Sequence, residues 1–324
     1  MNIKKLLLQL GLLVLVILAF VATDLFIYNN FTKIYSNPYS ETMAEKSIDI
    51  DKYLPFDENS LIVKKNSETK ITENIPVVDG ATALYPIYSA FVNAIYPETS
   101  LKFDGKNFLE DSKIQKTGTG TAYKRIVDGE DDVLFCAGPS KKQLQYAKDN
   151  NVELELVPIG YECFVFIVNK NNSIESLTIE QIKDIYTGRV TNWSEVGGDD
   201  TPILALQREE GSGSQTSMLK FMNGEEMKES KFHLGCKRIG FSFRYYVESI
   251  VKDGNIKMIA LNGIAPTKEN IRNKTYPIFD TFYMVYRKDN PNPNIQVLKD
   301  FVLSDVGQQI VEETGYVSLE RKRA

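Results

Sequence analysis

Short apolar strands alternate with helical patterns from residue 75 onward, and this alternation constrains the fold more than any other feature. Residues 163–168 (CFVFIV) form a continuously apolar run, which is typical of a strand covered on both faces. Further strands are predicted at 133–137, 203–206 and 281–286. Apolar residues recur at helical spacing between them, as in Ile87, Phe91 and Ile95. The pattern predicts an α/β fold with mainly parallel sheets.

The composition excludes several classes of protein. The net charge is −5, the pI is near 5.3, and the chain has no long basic block, whereas nucleic-acid-binding proteins normally carry a basic patch. A single histidine, His233, and three widely separated cysteines argue against most zinc sites and most histidine-dependent nucleophilic catalysis. What remains is a binding protein or an enzyme that works without histidine, and we expect no cofactor and no metal. We expect buried thiols at Cys136 and Cys163.

The N-terminal region contains an apolar run, residues 6–22, which follows Lys4 and Lys5 and is interrupted only by Gln9. Its length is at the lower edge of a membrane span, and neither an A-x-A cleavage site nor a nearby cysteine for lipidation is present. We therefore expect residues 1–28 to be an uncleaved signal-anchor, with a cleavable signal peptide as the alternative. Either segment would place the rest of the chain outside the cytoplasm. The polar residues 29–74 are predicted to form a stalk.

Three loops place small or hydroxyl residues between a strand and the start of a helix: 80–83 (GATA), 118–121 (GTGT) and 208–214 (REEGSGS). Helix N-termini present unpaired N–H groups and a partial positive charge, which suit an oxyanion. Arg208 adds a planar guanidinium that can pair with two oxygens at once. Serine or threonine before a helix is often only a cap, so the three loops together, rather than any one of them, predict an oxyanion site. The acidic pairs 131–132 and 199–200 are predicted to be solvated turns.

Three segments carry a family resemblance. Residues 79–86 (DGATALYP), the LT…IYTG…TNWSEVGG pattern within 177–198, and the loop 208–214 resemble the phosphate-binding, PstS-like substrate-binding proteins of ABC transporters. The resemblance covers residues 76–320 approximately. It implies a two-lobed, periplasmic-binding-protein-like (type II) α/β fold with a ligand cleft between the lobes, preceded by the N-terminal membrane segment. Lobe 1 would comprise residues 75–160 and 243–324, and lobe 2 residues 161–242.

The resemblance also implies a function and a site. The implied function is to bind inorganic phosphate, or a related oxyanion, and to deliver it to an ABC permease. The protein would act as a monomer, would not bind nucleic acid and would catalyse no reaction. The alternative is a membrane-anchored cell-surface sensor or adhesion protein that keeps the fold. In the second loop, Thr117 or Thr121 could take the place of Thr119. The implied ligand donors are Thr82, Ala83, Thr119, Arg208, Ser212, Gly213 and Ser214.

The chain departs from the family at one position that affects selectivity. Relatives that prefer phosphate carry an aspartate shortly after the strand equivalent to 133–137, and this chain has Pro139 there. The aspartate accepts the proton that phosphate has and sulfate lacks. Without it, we expect the two affinities to differ by less than about 10²-fold, unless another acid enters the cleft. The acids nearest in sequence to the implied donors of the third loop are Glu209 and Glu210.

Overall fold

The computed structural model describes residues 11, 14–25, 48–230, 235–251 and 254–319. The chain divides into two units, residues 1–45 and residues 46–324. The strands of the second unit are β1 (Val78–Gly80), β2 (Val133–Ala137), β3 (Leu154–Asn169), β4 (Ser176–Leu177), β5 (Ile203–Ala205), β6 (Lys237–Phe243), β7 (Ile256–Met258), β8 (Ala260–Leu261) and β9 (Phe279–Arg287). Its α-helices are α1 (Tyr85–Ile95), α2 (Thr119–Asp128), α3 (Lys141–Asp149), α4 (Ile179–Tyr186), α5 (Gly213–Met222), α6 (Lys268–Arg272), α7 (Asn294–Leu303) and α8 (Asp305–Thr314).

The main sheet is mixed. Its strands lie in the order β1-β2-β9-β3-β6-β5, and β7 also pairs with β3. β1 is parallel to β2 and β5 is parallel to β6, but β9 is antiparallel to both β2 and β3, and β3 is antiparallel to β6. The expectation of mainly parallel sheets is therefore wrong. The two longest described strands, β3 and β9, occupy the centre of the sheet and run against their neighbours.

Strand β3 joins two parts of this sheet. Its residues 154–163 pair with β9, and its residues 164–168 pair with β6. We call β1, β2, β9 and the first part of β3 the first half-sheet, and the rest of β3 with β5, β6 and β7 the second half-sheet. The apolar run 163–168 is buried throughout, as predicted for a strand covered on both faces. Strand β3 therefore passes from one half-sheet into the other.

Two helix ends of the structure carry residues that are typical of such positions. Ser140 caps α3: its hydroxyl accepts from the Gln143 N–H at 3.2 Å, and the Gln143 side chain accepts from the Ser140 N–H at 2.7 Å. This is a capping box, which a serine followed three residues later by a glutamine predicts. Gly188 follows the end of α4 with a φ of 73°, as a glycine after a helix C-terminus often does. Cys136 and Cys163 are buried free thiols, as predicted.

The described part of the predicted stalk, residues 48–74, packs against α1. Tyr53 and Ile62 are buried, and the Tyr53 carbonyl accepts from the Ser89 hydroxyl at 2.5 Å. Residues 14–25 of the first unit are helical. Within the described residues, no helix combines the length and the apolar character needed to cross a membrane. Most of the predicted anchor, 1–28, and His233 lie outside the described residues.

Candidate oxyanion-binding site

The first predicted loop connects β1 to α1. Thr82 and Ala83 begin a short 3-10 helix, Thr82–Leu84, that leads directly into α1, and both residues are half-buried. N–H groups in a first turn have no acceptor in their own helix, so a ligand can use them. The Ala83 carbonyl is held by the Tyr316 hydroxyl at 2.6 Å. Glycine is required just before this turn, because a Cβ on Gly80 would lie 2.2 Å from a carbonyl oxygen of β2.

The second loop presents three threonines, and the structure separates their roles. The N–H and the hydroxyl of Thr117 both donate to the Asp79 carboxylate. Thr121 is exposed in the first turn of α2. Thr119, the first residue of α2, is half-buried and follows Gly118, which has a φ of 86°. Of the three hydroxyls, the geometry favours that of Thr119 as the ligand donor.

The third loop connects β5 to α5 and is closed by its own side chains. The Ser212 hydroxyl caps α5 by accepting from the Gln215 N–H at 3.2 Å. The Gln215 side-chain oxygen accepts from the Arg208 N–H at 2.8 Å, so the start of the loop is tied to the helix that follows it. Gly213 and Ser214 are the first two residues of α5. Ser212 therefore serves as a helix cap, and the N–H groups of the next two residues have no acceptor in their own helix.

Arg208 provides the charge in this loop. It is half-buried, and in the described part of the chain no carboxylate forms a salt bridge with it. Burial lowers the pKa of its guanidinium, and the charges of Tyr246 and Glu209 partly oppose that effect. A guanidinium that is partly removed from water and has no carboxylate partner attracts an anion, because the anion supplies the missing negative charge. Arg208 is thus suited to the role predicted from the sequence.

The second and third loops meet. A Cβ on Gly213 would lie 3.5 Å from the Thr119 hydroxyl oxygen and 3.7 Å from the Cβ of Ala137. A Cβ on Gly120 would lie 3.8 Å from the Gly211 carbonyl oxygen. The N-termini of α2 and α5 therefore converge on one region, and each brings a partial positive charge to it. This convergence is the main geometric feature of the candidate site.

Asp79 connects the first loop to the second, and sequence reasoning missed it. The residue is fully buried, and its Oδ1 accepts from the Gly80 N–H at 2.7 Å and from the Thr117 N–H at 2.8 Å. Burial raises the pKa of Asp79, while the bonds from Thr117 and Gly80 and the charge of Arg125 act in the opposite direction. This carboxylate therefore joins Gly80, at the start of the first loop, to Thr117, just before the second. An isolated aspartate in a strand gave no sign of a partner 38 residues away.

The prediction of a solvated turn is wrong for Asp131. It was expected in a solvated turn, but it is buried, and Arg125 donates to its two oxygens at 2.9 and 2.7 Å. Burial raises the pKa of Asp131 to about 6, against the bonds from Arg125. The cause is Gly129, whose left-handed conformation ends α2 and turns the chain back toward Arg125. The exposed Asp199 agrees with the prediction made for its own turn.

Two contacts join the first turn of α3 to the third loop. The Gln143 amide nitrogen donates to the Gly211 carbonyl at 3.2 Å, and the Lys142 ammonium lies 3.0 Å from a Glu210 oxygen. The lysine and the glutamate are both exposed. Helix α3, which follows β2 of the first half-sheet, therefore contacts the loop that follows β5 of the second. Glu210 has a partner at the surface in Lys142.

The architecture defines a class of protein. Two half-sheets share a long crossing strand, and helix N-termini from both converge between them, as in two-lobed solute-binding proteins. Residues 67–306 match the sequence profile of the PBP superfamily domain. Because the match covers well over half of the chain, this protein belongs to the PBP superfamily, and the resemblance predicted from the sequence is confirmed.

Individual relatives are distant. The chain is 23% identical over 280 residues to the phosphate-binding protein PstS of Borreliella burgdorferi, which covers 79% of this chain and 94% of that protein. It is 27% identical over 236 residues to PstS of Staphylococcus epidermidis, covering 66% and 72% respectively. A Clostridium perfringens protein assigned as a phosphate ABC transporter substrate-binding protein, solved with bound phosphate, superposes with a TM-score of 0.56 at 24% identity. That superposition covers 78% of this chain and all of the other. The two proteins therefore share a fold.

Proposed function

We propose that this protein binds inorganic phosphate, or a related oxyanion, outside the cytoplasm and delivers it to an ABC permease. The observation that carries the proposal is the convergence of α2 and α5 at Thr119 and Gly213, with the half-buried Arg208 in the same loop as Gly213. Membership of the PBP superfamily and the PstS relatives support transport over the alternative of a surface sensor or adhesion protein. The role requires no bond to be made or broken.

The proposed donors come from all three loops. A hydrogen bond to a charged group contributes about 1.5–3 kcal/mol, so a set of this size is sufficient for micromolar affinity or better after the costs of ordering. Because the net charge of the chain is −5, capture would depend on the two helix N-termini and on Arg208 rather than on long-range attraction. The donors are Thr82, Ala83, Thr119, Arg208, Ser212, Gly213 and Ser214.

The proposed mechanism is closure of two lobes on the ligand and reopening at the permease. Lobe 1 would comprise residues 75–160 and 243–324, and lobe 2 residues 161–242. The passage of β3 between half-sheets near Cys163 supports this boundary. The bond from Gln143 to Gly211 would then join the lobes when they are closed. We propose that the protein acts as a monomer.

The proposed location is the extracytoplasmic face of the cell membrane, with residues 1–28 as the attachment. The support is the apolar run 6–22 after two lysines, without a recognisable cleavage site. Membrane fractionation followed by N-terminal sequencing tests this. Exported protein whose sequence begins between residues 20 and 40 would contradict the anchor and favour secretion.

Calorimetry tests the binding function. The full chain, freed of bound anion by repeated dialysis, would be titrated with phosphate, sulfate and arsenate, and with chloride as a control anion. We expect saturable one-to-one binding of at least phosphate, with micromolar affinity or better, and none of chloride. Failure of all three tetrahedral anions to bind a folded protein would refute the proposed function.

A further inference from the structure

Strand β2 ends at the candidate site without an acidic residue. Gly213 lies against Ala137, the last residue of β2, and the next residues are Gly138, Pro139 and Ser140. The third loop contains two glutamates close in sequence to Gly213. Glu210 pairs with Lys142 at the surface, and Glu209 is exposed. The end of β2 therefore provides no carboxylate at this edge of the sheet, and both glutamates of the third loop are exposed.

The neighbouring strand supplies one. β9 runs antiparallel to β2, with Phe282 opposite Ala137. Continuing this register by two residues places Asp280 level with Pro139. Residues opposite each other in an antiparallel pair project from the same face. Asp280 thus brings a carboxylate to the edge of the sheet at which the second and third loops meet.

The contacts of Asp280 link it to the third loop. Its Oδ2 accepts from the Ser217 hydroxyl at 2.5 Å, and Ser217 follows Gly213 by four residues of α5, about 6 Å along the axis. The Lys220 ammonium lies 3.8 Å from its Oδ1 and 3.4 Å from the position of a Cβ on Gly138. The Asp280 side chain is only 17% exposed. The carboxylate is therefore held beside the candidate site by a helix that also forms part of that site.

Asp280 retains the capacity to accept another hydrogen bond. An ionised carboxylate has about four lone-pair positions, and the described bonds from Ser217 and from the Thr281 N–H use two of them. At neutral pH inorganic phosphate carries at least one proton and can donate it in a hydrogen bond, whereas sulfate carries none. A carboxylate accepts that bond from phosphate and repels an unprotonated sulfate oxygen. We infer that Asp280 is the residue that selects phosphate over sulfate in this protein, an inference that rests on the proposed function.

The test compares two anions on matched variants. The full-length wild type and Asp280→Asn, both freed of bound anion, would be titrated calorimetrically with phosphate and with sulfate at neutral pH. Asp289→Asn is the matched control, because Asp289 lies just beyond the opposite end of β9 and pairs with Arg287 at the surface. Asp280→Ser is a second neutral variant in case asparagine disturbs folding, and thermal unfolding of each variant monitors its fold.

We expect wild type to favour phosphate by more than about 10²-fold and the Asp280 variants by less than about tenfold, through weaker phosphate binding and stronger sulfate binding. Asp289→Asn should keep the wild-type ratio. Either an unchanged ratio in folded Asp280 variants, or a wild-type ratio below about 10²-fold, would overturn the inference while leaving phosphate binding established. Wild type that binds neither anion would refute the proposed function itself, and the inference with it.

Discussion

Arg244 and Glu162 form a buried ion pair at the place where β3 passes from the first half-sheet to the second. The Arg244 Nε donates to Glu162 Oε1 at 2.9 Å and its Nη2 donates to Oε2 at 3.2 Å. The same carboxylate accepts from the N–H groups of Cys163 and Tyr245 at 2.8 and 3.1 Å. Glu162 also lies opposite Asp280 in the register of β3 and β9, so the ion pair lies beside the proposed selectivity residue.

Stability should depend on pH through Glu162. Burial raises the pKa of Glu162 from 4.5 to about 7, against the attraction of Arg244. The folded state therefore keeps a proton that the unfolded chain has released, so the stabilisation contributed by this group is complete below about pH 4.5 and is lost as the pH rises through about 7. Glutamine does not titrate. As the pH rises from about 4.5 to 7, the free energy of unfolding of wild type should therefore fall relative to that of Glu162→Gln. The difference should grow by at most about 1.4 kcal/mol per pH unit.

Urea unfolding at a series of pH values measures this difference. Glu175→Gln is the control, because the Glu175 side chain is 79% exposed and its loss should leave the wild-type pH profile almost unchanged. Parallel stability curves for Glu162→Gln and wild type between about pH 4.5 and 7 would show that Glu162 does not hold the extra proton.

Replacing Arg208 should weaken anion binding and leave the fold intact. A hydrogen bond to a charged group contributes about 1.5–3 kcal/mol, so Arg208→Ala should lower the phosphate affinity by at least about tenfold. Arg189→Ala is the matched control, because Arg189 is exposed and pairs with Asp184 and Glu225. Calorimetric titration decides the matter: a variant that binds every tetrahedral anion as wild type does would remove Arg208 from the site.

The three threonines of the second loop should respond differently to the loss of a hydroxyl. Thr119→Val should lower phosphate affinity by about tenfold or more, since its hydroxyl faces Gly213. Thr117→Val should lower the free energy of unfolding by about 1–3 kcal/mol, because the buried Asp79 loses a donor. Thr121→Val should do neither to a comparable extent. Titration and urea unfolding of all three variants test the assignment, and the largest loss of affinity at Thr117 or Thr121 would contradict it.

Local signals in the sequence were enough to place many helices and strands. The capping box of Ser140 and Gln143 and the glycine after α4 each depend on residues a few positions apart, so both could be predicted. The direction of β9 could not, because it depends on pairing with β2, more than a hundred residues earlier in the chain. The long apolar strands gave no information about which neighbours they would join.

The candidate site shows the same division. Each helix-start loop was visible by itself, because glycine, serine, threonine and arginine at such a position have a local meaning. The approach of Thr119 to Gly213 depends on how the half-sheets are arranged. Asp280 meets Ser217 across 63 residues of sequence, and no local pattern marks either residue. For that reason the sequence indicated a missing acid at Pro139 but not the carboxylate on the adjacent strand.

Gly213→Ala should separate folding from ligand binding. The added methyl would lie 3.5 Å from the Thr119 hydroxyl oxygen and 3.7 Å from Ala137, which are ordinary contacts, and alanine favours a helix by about 1 kcal/mol over glycine. The fold should therefore keep or gain stability. The methyl would occupy the space between two converging helix N-termini in which an oxyanion must sit, so phosphate affinity should fall by about tenfold or more. Gly254→Ala is the control, since a Cβ there has no neighbour within 4 Å. If calorimetry finds wild-type phosphate affinity in a folded Gly213→Ala variant, the anion does not bind between α2 and α5.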